Sequence, residues 1–206
     1  MNGRPAGRTV HVIEEQSYAI LRSRTDTSAL PPLARAVVER VVHASADLEY
    51  LHDLVLDEPA LRRGWQALRA GRPVVTDVEM VAAGITRRDL LGPVVCRVRD
   101  PGSAELAARA GITRSAAAVR LALAEVGPGA VWVVGCAPTA LFELLALDAD
   151  PALVVGLPVG FVGAAESKAA LRAAGLSAMS NVSEKGGSAV AAAAVNALLY
   201  TEEISS

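Results

Sequence analysis

The stretch Val131-Trp132-Val133-Val134-Gly135-Cys136-Ala137-Pro138-Thr139-Ala140-Leu141 decides the fold that this sequence predicts. Four consecutive apolar residues are typical of a strand that is buried on both faces of a sheet. Gly135 permits close backbone approach in the turn that follows, and Pro138 suits the first turn of a helix. We therefore expect a strand, a tight turn whose amide groups point outward, and a helix.

The same alternation of a short apolar run and a longer helical pattern recurs along the chain. Further strands are predicted at Val74-Val75, Val94 to Val98, Leu153 to Val155 and Ala178 to Ser180. Helical patterns occur around 79–83, 103–110, 114–125, 138–147, 164–174 and 187–200. This rhythm is typical of a parallel sheet with helices on both faces. We predict a three-layer α/β fold with a mostly parallel five-stranded sheet.

The first seventy residues are mostly helical, with candidate helices at 12–23, 32–44 and 59–69, and we expect this N-terminal helical segment to wrap one side of the sheet. A chain of 206 residues with 52% hydrophobic content is long enough to bury one sizeable core. We expect residues 1–10 to form a flexible arm, residues 11–200 a single domain, and residues 201–206 a polar tail.

Composition excludes several classes of protein. Cys96 and Cys136 have neither disulfide-framework nor zinc spacing, which favours a reduced, cytoplasmic setting. No signal peptide is recognised, and the apolar run from Ala189 to Tyr200 is too short to span a bilayer, so no membrane partner is expected. A net charge of -2 and only 3% aromatic residues argue against nucleic acid as a partner.

The turns that follow the predicted strands are the candidate ligand site, because ligands of open parallel sheets bind at the carboxyl ends of the strands. Gly186 and Gly187 at a helix start predict a backbone nest for anions, and Lys185 adds charge. Thr113 is a predicted helix cap that places Arg114 within reach of a carboxylate. The other candidates in these turns are Thr76, Asp77, Pro138, Thr139, Gly160 and Ser188.

Each of these turns could also be purely structural, because glycine-rich turns between strands and helices are ordinary in such folds. Asp77 and Glu166 are candidate catalytic carboxylates, yet either residue could instead cap a helix.

His43 is the candidate for acid-base chemistry. A predicted helix opens at Pro31 and Pro32 and ends just after His43, so the negative end of the helix dipole favours a protonated imidazole. Arg40 lies three residues earlier and shares a face with His43. A proton donor beside a fixed cation suits an anionic ligand that must be protonated during reaction. The alternative is a histidine that caps the carbonyl groups of the helix end.

Common catalytic fingerprints are missing from the sequence. It contains no dinucleotide-binding glycine motif, no phosphate loop of the Walker type, no nucleophile elbow and no His-Glu-x-x-His pair. His11, His43 and His52 have no metal-ligand spacing. Nothing in the sequence therefore calls for a nicotinamide cofactor, ATP or a catalytic zinc ion.

Six motifs, in order, resemble those of the precorrin-8X methylmutase family of corrin biosynthesis. They are Arg40 to His43, Thr76 to Ile85, Thr113 to Ser115, Ala137 to Leu144, Pro158 to Lys168, and Lys185 to Ser188 with Asn196 to Leu198. The resemblance extends from about Ser17 to Leu199.

The resemblance implies a flavodoxin-like fold, a homodimer, and an isomerase that works without metal or organic cofactor. It implies migration of a methyl group from C11 to the adjacent C12 of a polycarboxylate tetrapyrrole, precorrin-8X or cobalt-precorrin-8, giving hydrogenobyrinate or cobyrinate. His43 matches the proton donor or acceptor of the family, and Ser17 and Arg40 match residues that contact substrate.

The sequence departs from the family pattern at Cys136, where many relatives have Asn, and at Ser183-Glu184, where they have Gly-Arg. Two other functions stay open. One is a corrinoid carrier without catalytic activity, and the other is a module that binds a phosphate ligand in the Gly186-Gly187-Ser188 nest.

Overall fold

The computed structural model describes residues 12–88 and 90–202. Its helices are α1 (Val12–Arg24), α2 (Pro32–Ser45), α3 (Tyr50–Asp53), α4 (Glu58–Arg69), α5 (Glu79–Gly84), α6 (Pro101–Ala110), α7 (Arg114–Val126), α8 (Pro138–Ala146), α9 (Ala164–Ala173) and α10 (Ser188–Tyr200). Its strands are β1 (Leu54–Val55), β2 (Val74–Thr76), β3 (Val94–Val95), β4 (Val131–Val134), β5 (Leu153–Gly156) and β6 (Ala178–Asn181).

The strands form one sheet in the order β1-β6-β5-β4-β2-β3. All neighbouring pairs are parallel except β1 with β6, which is antiparallel. The five parallel strands follow the 2-1-3-4-5 order of flavodoxin-like folds. The predicted α/β fold with a mostly parallel sheet is therefore confirmed.

Three details of the prediction are wrong. The sheet has six strands instead of five, because β1 contributes two residues, too few to show a period of their own. The strand predicted over Val94 to Val98 ends at Val95, because the chain then turns towards Asp100, which caps α6. Helix α3, which spans four residues, was not predicted.

The buried strands alternate their side chains between two cores. Val131 and Val133 of β4 belong to the core under α2, α4, α5 and α10. Trp132 and Val134 face the core under α7 and α8. All four residues are buried, as expected of a central strand covered on both faces.

Helix α10 is the centre of one helical layer, and α2 packs along it. A Cβ atom added at Gly84 or Gly135 would lie 2.7 Å from the Cβ of Ala192 or Ala191, respectively, so α10 approaches both neighbours as closely as glycine allows. The residues Asp47, after α2, and Lys185, before α10, are in contact. Helix α2 therefore ends at the carboxyl edge of the sheet.

The predicted arm and the last four residues of the predicted tail lie outside the described residues. Among the described helices, none combines the length and apolar character that crossing a membrane requires.

Candidate functional site

The imidazole of His43 lies in the last turn of α2 and is held by α1. Its Nδ1 atom is 2.7 Å from the hydroxyl oxygen of Ser17. The ring of Tyr18 stacks on the imidazole with 5.1 Å between centroids and an 11° angle between planes. A serine hydroxyl can donate to the neutral ring or accept from the protonated one. Because Nδ1 contacts Ser17, that nitrogen does not cap the carbonyls of the helix.

Arg40 lies beside this histidine in a cluster of charged and aromatic groups. Its guanidinium forms an ion pair with Glu14 and lies 4.9 Å from the ring centre of Tyr200. The side chains of Arg40 and Glu14 are only 18% and 12% exposed. Among the described residues, no hydrogen-bond partner is found for the buried Nε of Arg40. A ligand carboxylate must therefore compete with Glu14 for this arginine or approach it from another side.

A cavity of about 420 Å³ adjoins this cluster. It is lined by Glu15, Tyr18, Arg22, Ala36, Glu39, Arg40, Ala197, Tyr200 and Thr201. No role was predicted from the sequence for Glu14 or Tyr18. The acidic residues in the first turn of α1 were the only signal that could have identified Glu14.

The loop between β6 and α10 lies next to the end of α2. The ammonium of Lys185 is 2.6 Å from a carboxylate oxygen of Asp47, forms an ion pair with Glu49, and lies 6.0 Å from the ring centre of Tyr50. Lys185 is therefore already neutralised by two acids in this structure. Its salt bridges place this loop on the same edge of the sheet as His43.

The anion nest predicted at Gly186-Gly187 is partly wrong. The Gly187 amide donates to the carbonyl oxygen of Leu157 at 2.9 Å, so it does not point at a ligand. Gly186 has φ +152°, and a Cβ there would collide with the same carbonyl oxygen. The Gly160 amide likewise donates to the carbonyl oxygen of Glu184 at 3.1 Å. These three glycines therefore lie where the loop after β5 contacts the loop between β6 and α10. The predicted contact residue Ser188 is buried at the start of α10.

The prediction that the amide groups of the turn after β4 point outward is also wrong, because Asp77 binds them. The buried carboxylate of Asp77 accepts the amides of Gly135, Cys136 and Ala137 at 3.0, 2.8 and 2.7 Å. The amides expected to point outward are therefore occupied by Asp77. Thr76 is buried as well, at 3% exposure. Neither side chain is placed to meet a ligand, because the carboxylate is saturated and the hydroxyl is covered.

The remaining predicted contacts lie on the other helical layer. The hydroxyl oxygens of Thr113 and Thr139 are 2.8 Å apart, and Thr113 caps α7, whose first residue is the exposed Arg114. Pro138 opens α8. A cavity of about 370 Å³ lies here, lined by Gly111, Ile112, Thr113, Ala116, Thr139, Phe142 and Glu143. The loop from Pro158 to Gly163 connects this group to the glycine loop, because Gly160 contacts Glu184 and Gly163 lies against Pro138.

A buried ammonium, for which no role was predicted from the sequence, also lies at this edge. Lys168 is 0% exposed. Its Nζ atom donates to the carbonyl oxygens of Pro158, Ser183 and Lys185 at 3.2, 2.5 and 2.6 Å, and to Oδ1 of Asn181 at 2.8 Å. Burial lowers the pKa of Lys168 to about 8. Its rarity was the available signal, because the sequence has only two lysines beside 18 arginines.

Asp53 completes this polar network. Its carboxylate accepts the Asn181 side-chain amide at 2.7 Å, the Ser183 amide at 2.8 Å and the Ser183 hydroxyl at 2.7 Å. Burial alone would raise the pKa of Asp53, but the hydrogen bonds from Asn181 and Ser183 outweigh it and lower this pKa. Ser183 is one of the departures from the family pattern, and here its hydrogen bonds to Asp53 hold the loop in place. The neighbouring Glu184 is exposed.

The protein-family model described as precorrin-8X methylmutase matches residues 12–201. The chain belongs to the precorrin-8X methylmutase family. It is 43% identical over 196 residues to a cobalt-precorrin-8 methylmutase of Salmonella typhimurium, covering 91% of this chain and 93% of that protein. It is 42% identical over 199 residues to a precorrin-8X methylmutase of a Sinorhizobium species, covering 93% and 94%.

Solved structures agree with this membership. A precorrin-8X methylmutase crystal structure from Thermus thermophilus superimposes with a TM-score of 0.82 at 35% sequence identity, covering 92% of this chain and 96% of that chain. The family suggested by the sequence motifs is therefore confirmed.

The first prediction concerns Asp77. The substitution Asp77→Asn should lower the free energy of unfolding by about 2 kcal/mol, because an amide nitrogen would face backbone N–H donors in place of a charged acceptor. Urea unfolding measures this change. The control Glu166→Gln, on the exposed first turn of α9, should change it by at most about 1 kcal/mol. An equally small effect of Asp77→Asn would contradict the structural role of this carboxylate.

The second prediction concerns the charge of Lys168. Its pKa is about 8 in the folded protein, below the 10.5 of an unperturbed lysine in the unfolded chain, so the unfolded chain binds one more proton between these two pH values. The free energy of unfolding should therefore rise with pH across this window by about 3 kcal/mol relative to Lys168→Met. Paired unfolding curves at several pH values measure the difference.

Lys185 supplies the control for this titration. Its hydrogen bonds to Asp47 and Glu49 raise the pKa of Lys185, so it stays charged in both states until the unfolded chain begins to titrate. The difference between wild type and Lys185→Met should therefore be nearly flat from about pH 8 to 9.5. If the difference in the free energy of unfolding between wild type and Lys168→Met were flat as well, the prediction would be contradicted, because Lys168 would then have an ordinary pKa in the folded protein.

Proposed function

We propose that this protein is an isomerase that moves a methyl group between adjacent ring carbons of precorrin-8X or cobalt-precorrin-8, giving hydrogenobyrinate or cobyrinate. The observation that carries the proposal is the clamped imidazole of His43, bound at Nδ1 by Ser17 and stacked on Tyr18. Membership of the methylmutase family supports the substrate class.

His43 is the proposed proton donor to the macrocycle. A methyl group migrates with its bonding electron pair, so protonation of the conjugated ring assists the step when it draws electron density away from the carbon that accepts the methyl group. Positive charge then develops at the carbon that the methyl group leaves, and loss of the proton neutralises the ring. A single acid that is held in one orientation supplies that proton and takes it back after the migration. Ser17 supports both charge states of the ring, because its hydroxyl can reverse the direction of its hydrogen bond.

Cations around this imidazole are the proposed contacts for the carboxylates of the substrate. Arg40 lies on the same helix as His43, and Lys185 lies beside the end of that helix. Both cations are already paired with acids of the protein. A substrate carboxylate would replace Glu14 at Arg40 and the exposed Glu49 at Lys185, while the salt bridge from Lys185 to Asp47 stays in place. Such an exchange keeps the charge balanced and favours a ligand that carries several carboxylates.

An exposed apolar segment could cover the flat face of the macrocycle. Phe161 and Val162 are 94% and 88% exposed, and Val159 is 44% exposed. They belong to the loop that connects the two groups of candidate residues. Exposed apolar side chains of this size favour contact with a ligand or a second protein surface.

We also infer that the protein acts as a homodimer in the cytoplasm. Within one chain, the His43 group and the Arg114 group belong to helical layers on opposite faces of the sheet. A second copy that covers Phe161 and Val162 would bring further groups to this edge. Cys96 and Cys136 are not joined by a disulfide, which is in keeping with the cytoplasmic setting.

The two alternatives from the sequence differ in their support. A phosphate-binding module needs free amides at the glycine turn, but the Gly187 amide is bonded to Leu157. A corrinoid carrier would use the same cations as the enzyme but would leave its ligand unchanged. Turnover therefore separates the enzyme from the carrier.

The third prediction tests His43 as the general acid. His43→Ala should lower kcat by about 10² to 10⁴, because it removes general acid catalysis while leaving the cations in place. Purified protein is mixed with precorrin-8X or with its cobalt form, and the visible spectrum follows conversion. His52→Ala, an exposed histidine on α3, is the matched control and should keep its activity. Normal turnover by His43→Ala would refute the mechanism.

The fourth prediction tests Arg40 as a contact for a carboxylate of the substrate. Arg40→Ala should weaken substrate binding by about 10- to 100-fold, because a hydrogen bond to a charged group contributes about 1.5 to 3 kcal/mol. Titration of the inactive His43→Ala background with precorrin-8X measures affinity without turnover. Arg35→Ala, an exposed arginine on the same helix, serves as the control. Equal affinities of the two variants would remove Arg40 from the site.

A further inference from the structure

We propose that Lys168 is a positioning residue for the candidate active site. Its buried ammonium holds the backbone of the loop between β6 and α10. Lys185 in this loop then forms salt bridges that hold the end of α2, the helix that carries His43. The proposal deepens the proposed function and rests on it for its catalytic consequence. Its structural part can be tested separately.

The first link is the set of oxygens around the ammonium. Three of them, from Ser183, Lys185 and Asn181, lie at 2.5, 2.6 and 2.8 Å, which matches the three N–H groups that a charged lysine carries. A fourth, the carbonyl oxygen of Pro158, is more distant at 3.2 Å. Lys168 therefore ties the β6–α10 loop to the loop after β5. Removing it leaves several carbonyl groups without their donor.

The second link is Lys185, which connects the buried ammonium to α2. Its backbone carbonyl is bound by Lys168, and its side chain bonds to Asp47 and Glu49. The loop is held on its other side by Asp53, which accepts the amides of Val182 and Ser183 at 3.0 and 2.8 Å. The position of the Lys185 side chain thus depends on a loop backbone that is fixed from both sides.

The third link is the end of α2. Ala46 has φ 54°, and its amide donates to the carbonyl oxygen of Val42, so the helix stops there in a left-handed cap. Asp47 follows immediately, and His43 lies in the turn that this cap closes. The salt bridge from Lys185 to Asp47 therefore acts on the turn that orients the imidazole.

Burial has the largest effect on the charge of Lys168 and lowers its pKa. Arg172 also lowers this pKa, whereas Asp53, which is linked to the ammonium through Asn181, and Glu184 raise it. Arg172 donates to the backbone carbonyl of Asn181 at 2.8 Å, which holds the same loop from the side of α9. A pKa of about 8 leaves Lys168 mostly protonated at pH 7.

A double-mutant cycle on kcat tests whether the two lysines act through one route. Lys168→Met and Lys185→Met are measured singly and together with precorrin-8X, so that kcat and KM are separated. Each single variant should lower kcat by about tenfold or more, and the double variant should be little worse than the worse single one. The control cycle combines Lys168→Met with Arg97→Met. Arg97 forms a surface ion pair with Glu125 that is remote from this loop, so the effects of these two substitutions on kcat should be additive.

Hydrogen exchange tests the structural part without substrate. In Lys168→Met, peptides covering residues 43–50 and 182–188 should exchange about tenfold faster or more, while residues 131–134 of β4 keep their protection. If Lys168→Met does not fold, the same two peptides are followed in Lys185→Met, where only residues 43–50 should lose protection.

The outcomes separate the two proposals. A wild-type protein that does not convert either substrate refutes the proposed function, and hydrogen exchange then decides alone whether Lys168 positions α2. An active wild type with an additive cycle, or with unchanged exchange of residues 43–50 in the lysine variants, overturns the role of Lys168 and leaves the proposed function standing. A non-additive cycle with faster exchange at residues 43–50 supports both.

Discussion

The close approach of α10 to its neighbours is the constraint on which the rest of the structure depends. Ala191 and Ala192 face Gly135 and Gly84 at distances that leave no room for another methyl group. The helix is buried along almost its whole length, and the apolar side of α2, with Leu33, Val37 and Val41, is buried in the same core. Because interiors are close-packed, the small residues at these contacts set how closely α10 lies against the sheet, and α2, which carries His43, packs along α10.

At the carboxyl edge, most polar groups are satisfied by other groups of the protein. Asp77 fills the turn after β4 at the point where the strand order reverses, which is the usual ligand crevice of such sheets. Lys168 and Asp53 do the same for the loop after β6. The proposed contacts to the carboxylates of the substrate are therefore side chains near the end of α2. When the loops of a site are already held by hydrogen bonds within the protein, less free energy is needed to order them as the ligand binds.

The sequence predicts the architecture well because its signals are local. Four buried residues in β4 and the proline that opens α8 identify a strand and a helix without knowledge of the rest of the chain. Pairing at long range is different. That the amides of the β4–α8 turn would bind Asp77, or that the glycine turn would bond to Leu157, depends on which strands become neighbours.

The same reason explains what the sequence missed around the site. Lys168 looks like any helical lysine until β6 places Asn181 and Ser183 against it. Ser17 was predicted only from resemblance, yet the structure places its hydroxyl on His43, because α1 packs on α2 at that point. In the proposed mechanism, this imidazole faces the bound macrocycle. A crystal structure with bound hydrogenobyrinate tests it directly: we expect the ring within hydrogen-bond reach of His43, and a ring bound only beside Thr113 and Thr139 would contradict it.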